Sequence, residues 1–310
     1  FECDARAESS LRRIQRFISE FSLDTDLVAR FIFALLPHDP PYRLALDRTN
    51  WKLGDRNINI LTLGIVYKGL AFPLLFHVMP KFGNSAMQER IDLMNRFIRL
   101  FGADKIECLL ADREFVGDKW LEYLNSSGIE YHIRIRENFW VEIPRNGKRV
   151  KAWWLFNNLK VNQRAFYRRI VRVNGELCYL SASRVINKEN APELQIIVSF
   201  KKPDEAQTVY KERWQIESAF KALKTSGFNI EDTHLTDVER VSKLMSLVLI
   251  AYVWVYKAGI YLDSLRPIKI KKHGRKAKSL FKYGLNYIAN LLFSSDISSF
   301  NQCCKFLSCT

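Results

Sequence analysis

From Tyr42 onward the chain alternates short apolar runs with amphipathic stretches. The run YRLALDRTNWK reads as a strand that carries Asp47 after a brief apolar stretch, and INILTLGIVYKGLAFPLLFHV reads as two strands joined by a turn at Lys68-Gly69. Apolar positions at helical spacing then predict a helix that Asn84-Ser85 opens and that runs to about Phe101, with Ser85 and Gln88 in capping-box spacing. KIECLLA is almost wholly apolar, as a central strand covered on both faces should be, and it ends on Asp112. A helix at about residues 117–125 and a fifth strand, IEYHIRIR, complete the unit.

Three meandering strands followed by helix, strand, helix, strand is the order of a ribonuclease H-like α/β sheet. In that topology the first and fourth strands are neighbours, so Asp47 and Asp112 are expected to meet. A lone Asp ending a strand is usually a turn residue or helix cap; two on adjacent strands are harder to dismiss. The rhythm then breaks. FWVEIPRNGKRVKAWWLF, AFYRRIVRVNGELCYLSAS and ELQIIVSF have strand composition, with turns at Asn146-Gly147 and Asn174-Gly175, and predict an inserted antiparallel β unit. Arg145, Lys148, Arg149, Lys151, Arg164, Arg168, Arg169 and Arg172 are interleaved there with Trp140, Trp153, Trp154 and Tyr167. Such a mixture can neutralise phosphates and stack on an unpaired base, or the Trp pair can simply pack the insertion onto the core.

After Pro203-Asp204, the stretch QTVYKERWQIESAFKALK predicts one helix from Gln207 to Lys224, with strong helix formers throughout and Gly227 placed as a C-cap. On a regular helix, Tyr210, Arg213, Glu217 and Lys224 fall within an arc of about 60°, beside an apolar face of Val209, Ile216, Phe220 and Leu223. A carboxylate flanked by a phenol, a guanidinium and an ammonium suits a metal bound next to a phosphate; a solvated face with an Arg213–Glu217 i,i+4 pair is the plainer alternative. Helical patterns flank the core. ESSLRRIQRFISEF has an apolar stripe of Leu11, Ile14, Phe17, Ile18 and Phe21, and LVARFIFALL follows; the pair is a remnant of a DNA-binding module or a helical cap on the core. ERVSKLMSLVLIAYVWVYKAG reads as a long buried helix, its longest apolar run, 244–256, being broken by Ser246, bounded by Lys243 and Lys257 and too short to cross a bilayer, so no membrane partner is expected. IKIKKHGRKAKSLFK concentrates lysines and arginines as a solvated patch or a phosphate-backbone contact.

Bulk composition narrows the partner. The 310 residues carry a net charge of +15 and a sequence pI near 9.6, which favours a polyanion. Hydrophobic content of 48% excludes a disordered chain. The six cysteines form no metal or disulfide pattern, and with no visible export signal they fit a reducing cytoplasm. The chain begins with Phe1 at what reads as mid-domain, so a preceding segment is expected.

Tyr210-x2-Arg213-x3-Glu217-x6-Lys224, together with Asp47-Arg48-Thr49-Asn50-Trp51 and Ala111-Asp112-Arg113-Glu114-Phe115, resembles the bacterial DDE transposases of the insertion sequence 4 family, whose signature is Tyr-Arg-Glu-Lys at this spacing. The resemblance covers about residues 42–290. It implies a ribonuclease H-like catalytic core with an antiparallel β insertion and flanking helices. The implied division is a helical region at 1–40, core at 41–137, insertion at 138–202, the Glu-bearing end of the core at 203–262, and a basic helical region at 263–310. It implies Asp47, Asp112 and Glu217 as catalytic ligands of two Mg²⁺ or Mn²⁺ ions, and Tyr210, Arg213 and Lys224 as DNA contacts. Three converging carboxylates cannot all stay ionised without a cation, and hard oxygen donors select such ions. The implied partners are double-stranded DNA, as transposon ends and target, and a second copy of the chain in a synaptic dimer acting in the bacterial cytoplasm. A Trp of the insertion stacks on a flipped base in related enzymes, and Trp140, Trp153 and Trp154 are equal candidates here. Two alternatives keep part of this picture: a ribonuclease H-like metal-dependent nuclease, and a truncated or decayed copy that binds DNA without cutting it.

Overall fold

The computed structural model describes residues 6–36, 39–53, 55–272 and 274–293, with isolated positions 298, 301, 303 and 304. It divides into two compact units: Asp39–Asn50 with Asn59–Ala219, and Phe1–His38 with Trp51–Ile58 and Phe220–Thr310.

The first unit is built on a long mixed sheet. Strands β1 (Tyr42–Leu53), β2 (Arg56–Tyr67) and β3 (Leu70–Met79) follow one another, β2 and β3 pairing antiparallel across Lys68-Gly69, both with positive φ. Helix α1 (Ala7–Glu20) and helix α2 (Thr25–Leu35) precede them in the chain. Helix α3 (Met87–Phe101) leads to β4 (Ile106–Ala111), and α4 (Asp118–Ser126) to β5 (Tyr131–Ile135). Neighbouring strands run β3-β2-β1-β4-β5, with β1/β4 and β4/β5 parallel, which is the expected ribonuclease H-like order. The apolar runs explain it: Leu44, Leu46, Ile60, Leu63, Leu109, Leu110 and Ile133 are all fully buried, so β1, β2, β4 and β5 are inside strands.

The start of α3 differs from expectation. Its N-cap is Ala86, whose N–H is accepted by the Glu89 carboxylate at 2.5 Å. Ser85 is buried and accepts instead from Arg90 Nε at 2.8 Å, so the Ser85/Gln88 capping box does not form.

Beyond β5 the sheet does not stop. Strands β6 (Trp140–Ile143), β7 (Lys148–Lys151), β8 (Arg164–Phe166) and β9 (Val171–Val173) are short, whereas β10 (Glu176–Ile186) and β11 (Pro192–Ser199) are long. β11 pairs antiparallel with β5 and β10 with β11, so these two strands extend the core sheet; β9, β6 and β7 continue from β10. Burial of Leu180, Ala182, Ile196, Ile197 and Val198 makes that extension favourable. The Trp153-Trp154 pair lies in a 3₁₀ turn, Ala152–Phe156, and both rings are more than two-fifths exposed.

In the second unit, α2 is capped by Asp24 and packs on α7 (Val238–Leu265), which also packs on α8 (Leu280–Phe293). The α7–α8 crossing is very close: a Cβ added at Gly284 would lie 1.9 Å from the Val255 carbonyl oxygen. At 28 residues α7 is long and apolar enough to cross a membrane, longer than its longest apolar run suggests, but 56% of its apolar window is buried inside the protein. That is the behaviour of a core helix. The stripe expected for α1 is only partly covered: Phe17 and Ile18 are half-buried, whereas Leu11, Ile14 and the capping Phe21 are about half exposed.

Candidate active site

The Gln207–Lys224 stretch is not one regular helix. Helix α5 (Ala206–Val209) gives way to a 3₁₀ turn at Tyr210–Arg213, and α6 runs from Trp214 to Lys224. The tightened turn rotates Tyr210 relative to a regular wheel. Local anchors account for the break: buried Gln207 donates to Ser181 Oγ at 3.2 Å on β10, and Val209 clusters with Cys108 and Leu110 of β4. Arg43 of β1 donates to Glu107 at 3.0 Å and to Glu212 of the turn at 2.6 Å. The segment is therefore held to β1, which carries Asp47, and to β4, which leads into Asp112.

Those aspartates are neighbours by register. Leu46 of β1 pairs with Ala111, the last residue of β4, so Asp47 within β1 stands level with Asp112, the residue that follows β4. Tyr210 Oη donates to Asp112 Oδ1 at 3.2 Å. Arg213 donates from Nη1 to Asp47 Oδ2 at 3.0 Å and from Nη2 to Glu217 Oε1 at 2.5 Å. Five of the six residues anticipated from sequence, Asp47, Asp112, Tyr210, Arg213 and Glu217, thus form one connected constellation. Lys224 belongs to the other unit, where its Nζ pairs with Glu231 at 2.7 Å and lies 5.6 Å from the Trp51 ring centroid. Gly227, past the end of α6, lacks the positive φ of a glycine cap; a Cβ there would strike the Phe281 ring at 2.5 Å.

Burial sets the electrostatics. It drives the Asp47 carboxyl up to about 6; Arg213 and the Arg48 N–H (2.8 Å from Oδ1) pull it down, while Glu217 and Asp112 push it further up. For Arg213, burial opposes the charge, but the fields of Tyr210, Asp47 and Asp112 and the bond to Glu217 more than offset it, and its pKa rises. Burial likewise raises the Tyr210 phenol, so it is a proton donor at neutral pH.

Sequence reasoning missed a second layer of side chains. Arg48, next to Asp47, forms a two-pronged pair with Glu114, next but one to Asp112: Nε to Oε1 at 3.2 Å and Nη2 to Oε2 at 3.1 Å. Its Nη1 also reaches Asn59 Oδ1 at 3.2 Å and Nη2 reaches Asn84 Oδ1 at 3.3 Å. Arg90 grips the Glu114 carbonyl at 3.2 Å and lies over the Phe115 ring at 5.0 Å. Arg48 and Glu114 thereby staple the loop after one aspartate to the strand of the other. The signal was present in the sequence, since Arg48 and Glu114 stand within the two acidic motifs.

Whether these residues suit a metal rests on their chemistry and mutual field. Asp47, Asp112 and Glu217 offer only hard oxygens, and Asp47 feels the other two as like charges, the situation a divalent cation relieves. The donor set fits. Among the described residues, however, no group of three His, Cys, Asp or Glu side chains is gathered to hold an ion as it stands. The guanidinium of Arg213 bridges two of the three carboxylates instead.

Among curated proteins none matches this chain. Solved structures that resemble it include a piggyBac transposase synaptic complex with hairpin DNA (12% identity, TM-score 0.44, covering 96% of this chain and 64% of that one). Others are Ciona intestinalis endonuclease V in complex with a 23-mer DNA (11%, 0.30, covering 67% and 90%) and the NurA nuclease from Sulfolobus solfataricus (10%, 0.31, covering 78% and 94%). The chain thus spans less than two thirds of the length of that piggyBac transposase. The model of the transposase DDE domain matches residues 38–254, most of the chain and every acidic residue of the constellation. The chain belongs to the transposase DDE domain family.

Proposed function

We propose that this chain is a DNA transposase that cuts and joins DNA at insertion-sequence ends, of the insertion sequence 4 type, with Asp47, Asp112 and Glu217 as its catalytic carboxylates. The observation that carries the reading is the constellation itself: Asp47 within β1 and Asp112 at the end of the parallel neighbour β4, tied through Arg213 and Tyr210 to the segment that bears Glu217. The three carboxylates would hold Mg²⁺ or Mn²⁺, two ions in all. When bound, such ions supply charge neutralisation and activation of the attacking oxygen in an in-line displacement at phosphorus.

The chain's own residues do the rest. Arg213 presents a planar fork matched to a phosphate's paired oxygens, and Lys224 a compact point charge. Tyr210 keeps its proton at neutral pH and can donate to a phosphate oxygen as it now donates to Asp112. The net charge of +15 draws duplex DNA toward the chain. Pairing two transposon ends requires two copies, so a dimer is the working form in this reading, acting on DNA in the bacterial cytoplasm. The exposed rings of Trp140, Trp153 and Trp154, with Lys151 at 3.8 Å from the Trp140 centroid and Lys148 at 5.1 Å from that of Trp154, stand ready to stack on an unpaired base.

Glu217→Gln removes a carboxylate charge and keeps the helix. It is expected to abolish Mg²⁺-dependent strand cleavage while leaving duplex affinity, read by fluorescence anisotropy, at the parent value. Cleavage at the parent rate would remove Glu217 from the site.

A further inference from the structure

The two-handed grip of Arg213 has a chemical consequence. Its guanidinium satisfies one oxygen of Asp47 and one of Glu217, and the residue is only 7% exposed, so it has little water to turn to if displaced. Its Nε is buried without a hydrogen-bond acceptor. Beside it opens a cavity of about 280 Å³ lined by Arg134, Gln195, Tyr210, Lys211, Arg213 and Trp214, which carries three cationic side chains and no carboxylate. Such a lining suits a phosphate group, and an entering phosphate would offer Arg213 new acceptors.

We propose that Arg213 is the resident counter-ion of the carboxylate site, competing with the divalent ion for Asp47 and Glu217 until a phosphate group in the adjoining cavity draws its guanidinium away. Ion loading and DNA binding are then coupled through one side chain, and the site takes ions only weakly while no DNA is held. A ligand shifts such an equilibrium only by its differential affinity for the two arrangements. Here that difference comes from the exchange of two carboxylate oxygens for phosphate oxygens. The inference rests on the assignment of Asp47 and Glu217 as ion-holding residues.

The test is a Mn²⁺ titration of the full chain, following free Mn²⁺ by electron paramagnetic resonance, with and without a short duplex of arbitrary sequence and with the duplex-alone signal subtracted. The parent should bind Mn²⁺ weakly alone and more tightly with duplex. Arg213→Gln should bind it at least about tenfold more tightly than the parent without DNA, the lower end of what an adjacent Arg does to a carboxylate's proton affinity. Its added gain from duplex should vanish. Thermal melting gives a second readout: without metal Arg213→Gln should melt below the parent, and Mn²⁺ should raise its Tm by more than the parent's. Arg213→Lys, which keeps a charge but can serve one carboxylate at a time, should fall between the two, and it stands in if the glutamine variant does not fold. Variants that bind Mn²⁺ no more tightly than the parent would overturn the competition. Asp47→Asn and Glu217→Gln separate the two failures, for if both keep the parent's Mn²⁺ affinity with duplex present, the ion-holding assignment itself is wrong.

Discussion

Asp47 and His132 titrate in overlapping pH windows with opposite effects on stability. Burial lifts Asp47 from the usual carboxylate range to about 6, so in the absence of metal the fold prefers it protonated. Between about pH 4 and 6 the native state holds a proton that the unfolded chain has lost, and this group's contribution to stability falls as pH rises. His132 is the reverse. It is buried, hydrogen-bonded to Ser199 at 2.9 Å, and pushed down to about 4 by burial, with Arg43 and Lys202 adding to the effect. Between about pH 4 and 6.5 the unfolded chain takes up a proton that the native state refuses, so its contribution rises with pH. Asp47→Asn should therefore become more stable relative to its parent as pH goes from 4 to 6, by on the order of 1–3 kcal/mol, and His132→Gln less stable relative to its parent over the same range. Urea denaturation of the metal-free proteins at several pH values measures both differences; a flat difference for Asp47→Asn would mean its carboxyl is not desolvated.

At the scale of elements, the structure depends on two close joints, each within one unit. One is the Arg48–Glu114 staple, whose side chains are 17% and 23% exposed and which fixes the loop after Asp112 to β1. A double-mutant cycle with Arg48→Ala and Glu114→Ala should give a coupling of about 1–3 kcal/mol in unfolding free energy; strict additivity would reduce the pair to coincidence. The other joint is the α7–α8 crossing. Gly284→Ala drives a methyl into the Val255 carbonyl and should destabilise the protein by about 1–3 kcal/mol or more, lowering Tm. An unchanged Tm would show that the helices can separate without cost. Elements were also where sequence reading succeeded and failed. The strand order β1 to β5 was legible because buried strands are written as apolar runs that periodicity finds. The break at Tyr210–Arg213 was not, since every residue there is an acceptable helix former and the break comes from tertiary anchors on Gln207, Val209 and Glu212. Nor was the extension of the sheet through β11 and β10, because strand composition does not say which neighbour a strand will choose. Ser85 was misread because a capping pattern one residue early is indistinguishable from the real one until Arg90 claims the hydroxyl.

For the whole molecule, the basic charge and the membership of the transposase DDE domain family over residues 38–254 support the proposed action on DNA phosphates, and the ribonuclease H-like strand order supplies its scaffold. The candidate site was legible in sequence as a set of residue types at fixed spacings. What spacing could not reveal was that Arg213 would stand as the cation between Asp47 and Glu217, because a bridging guanidinium is a property of three segments brought together. Asp47, Asp112 and Glu217 are proposed to cut DNA. The most direct test is a strand-cleavage assay on a labelled duplex bearing the element's terminal repeat, with Mg²⁺, with Mn²⁺ and with EDTA, comparing the parent with Asp112→Ala. Metal-dependent nicking at the repeat boundary that disappears in Asp112→Ala is the expected result. Nicking that survives the substitution would remove Asp112 from the chemistry, and a parent that binds the duplex and never cuts it under any metal would rule out cleavage by this site.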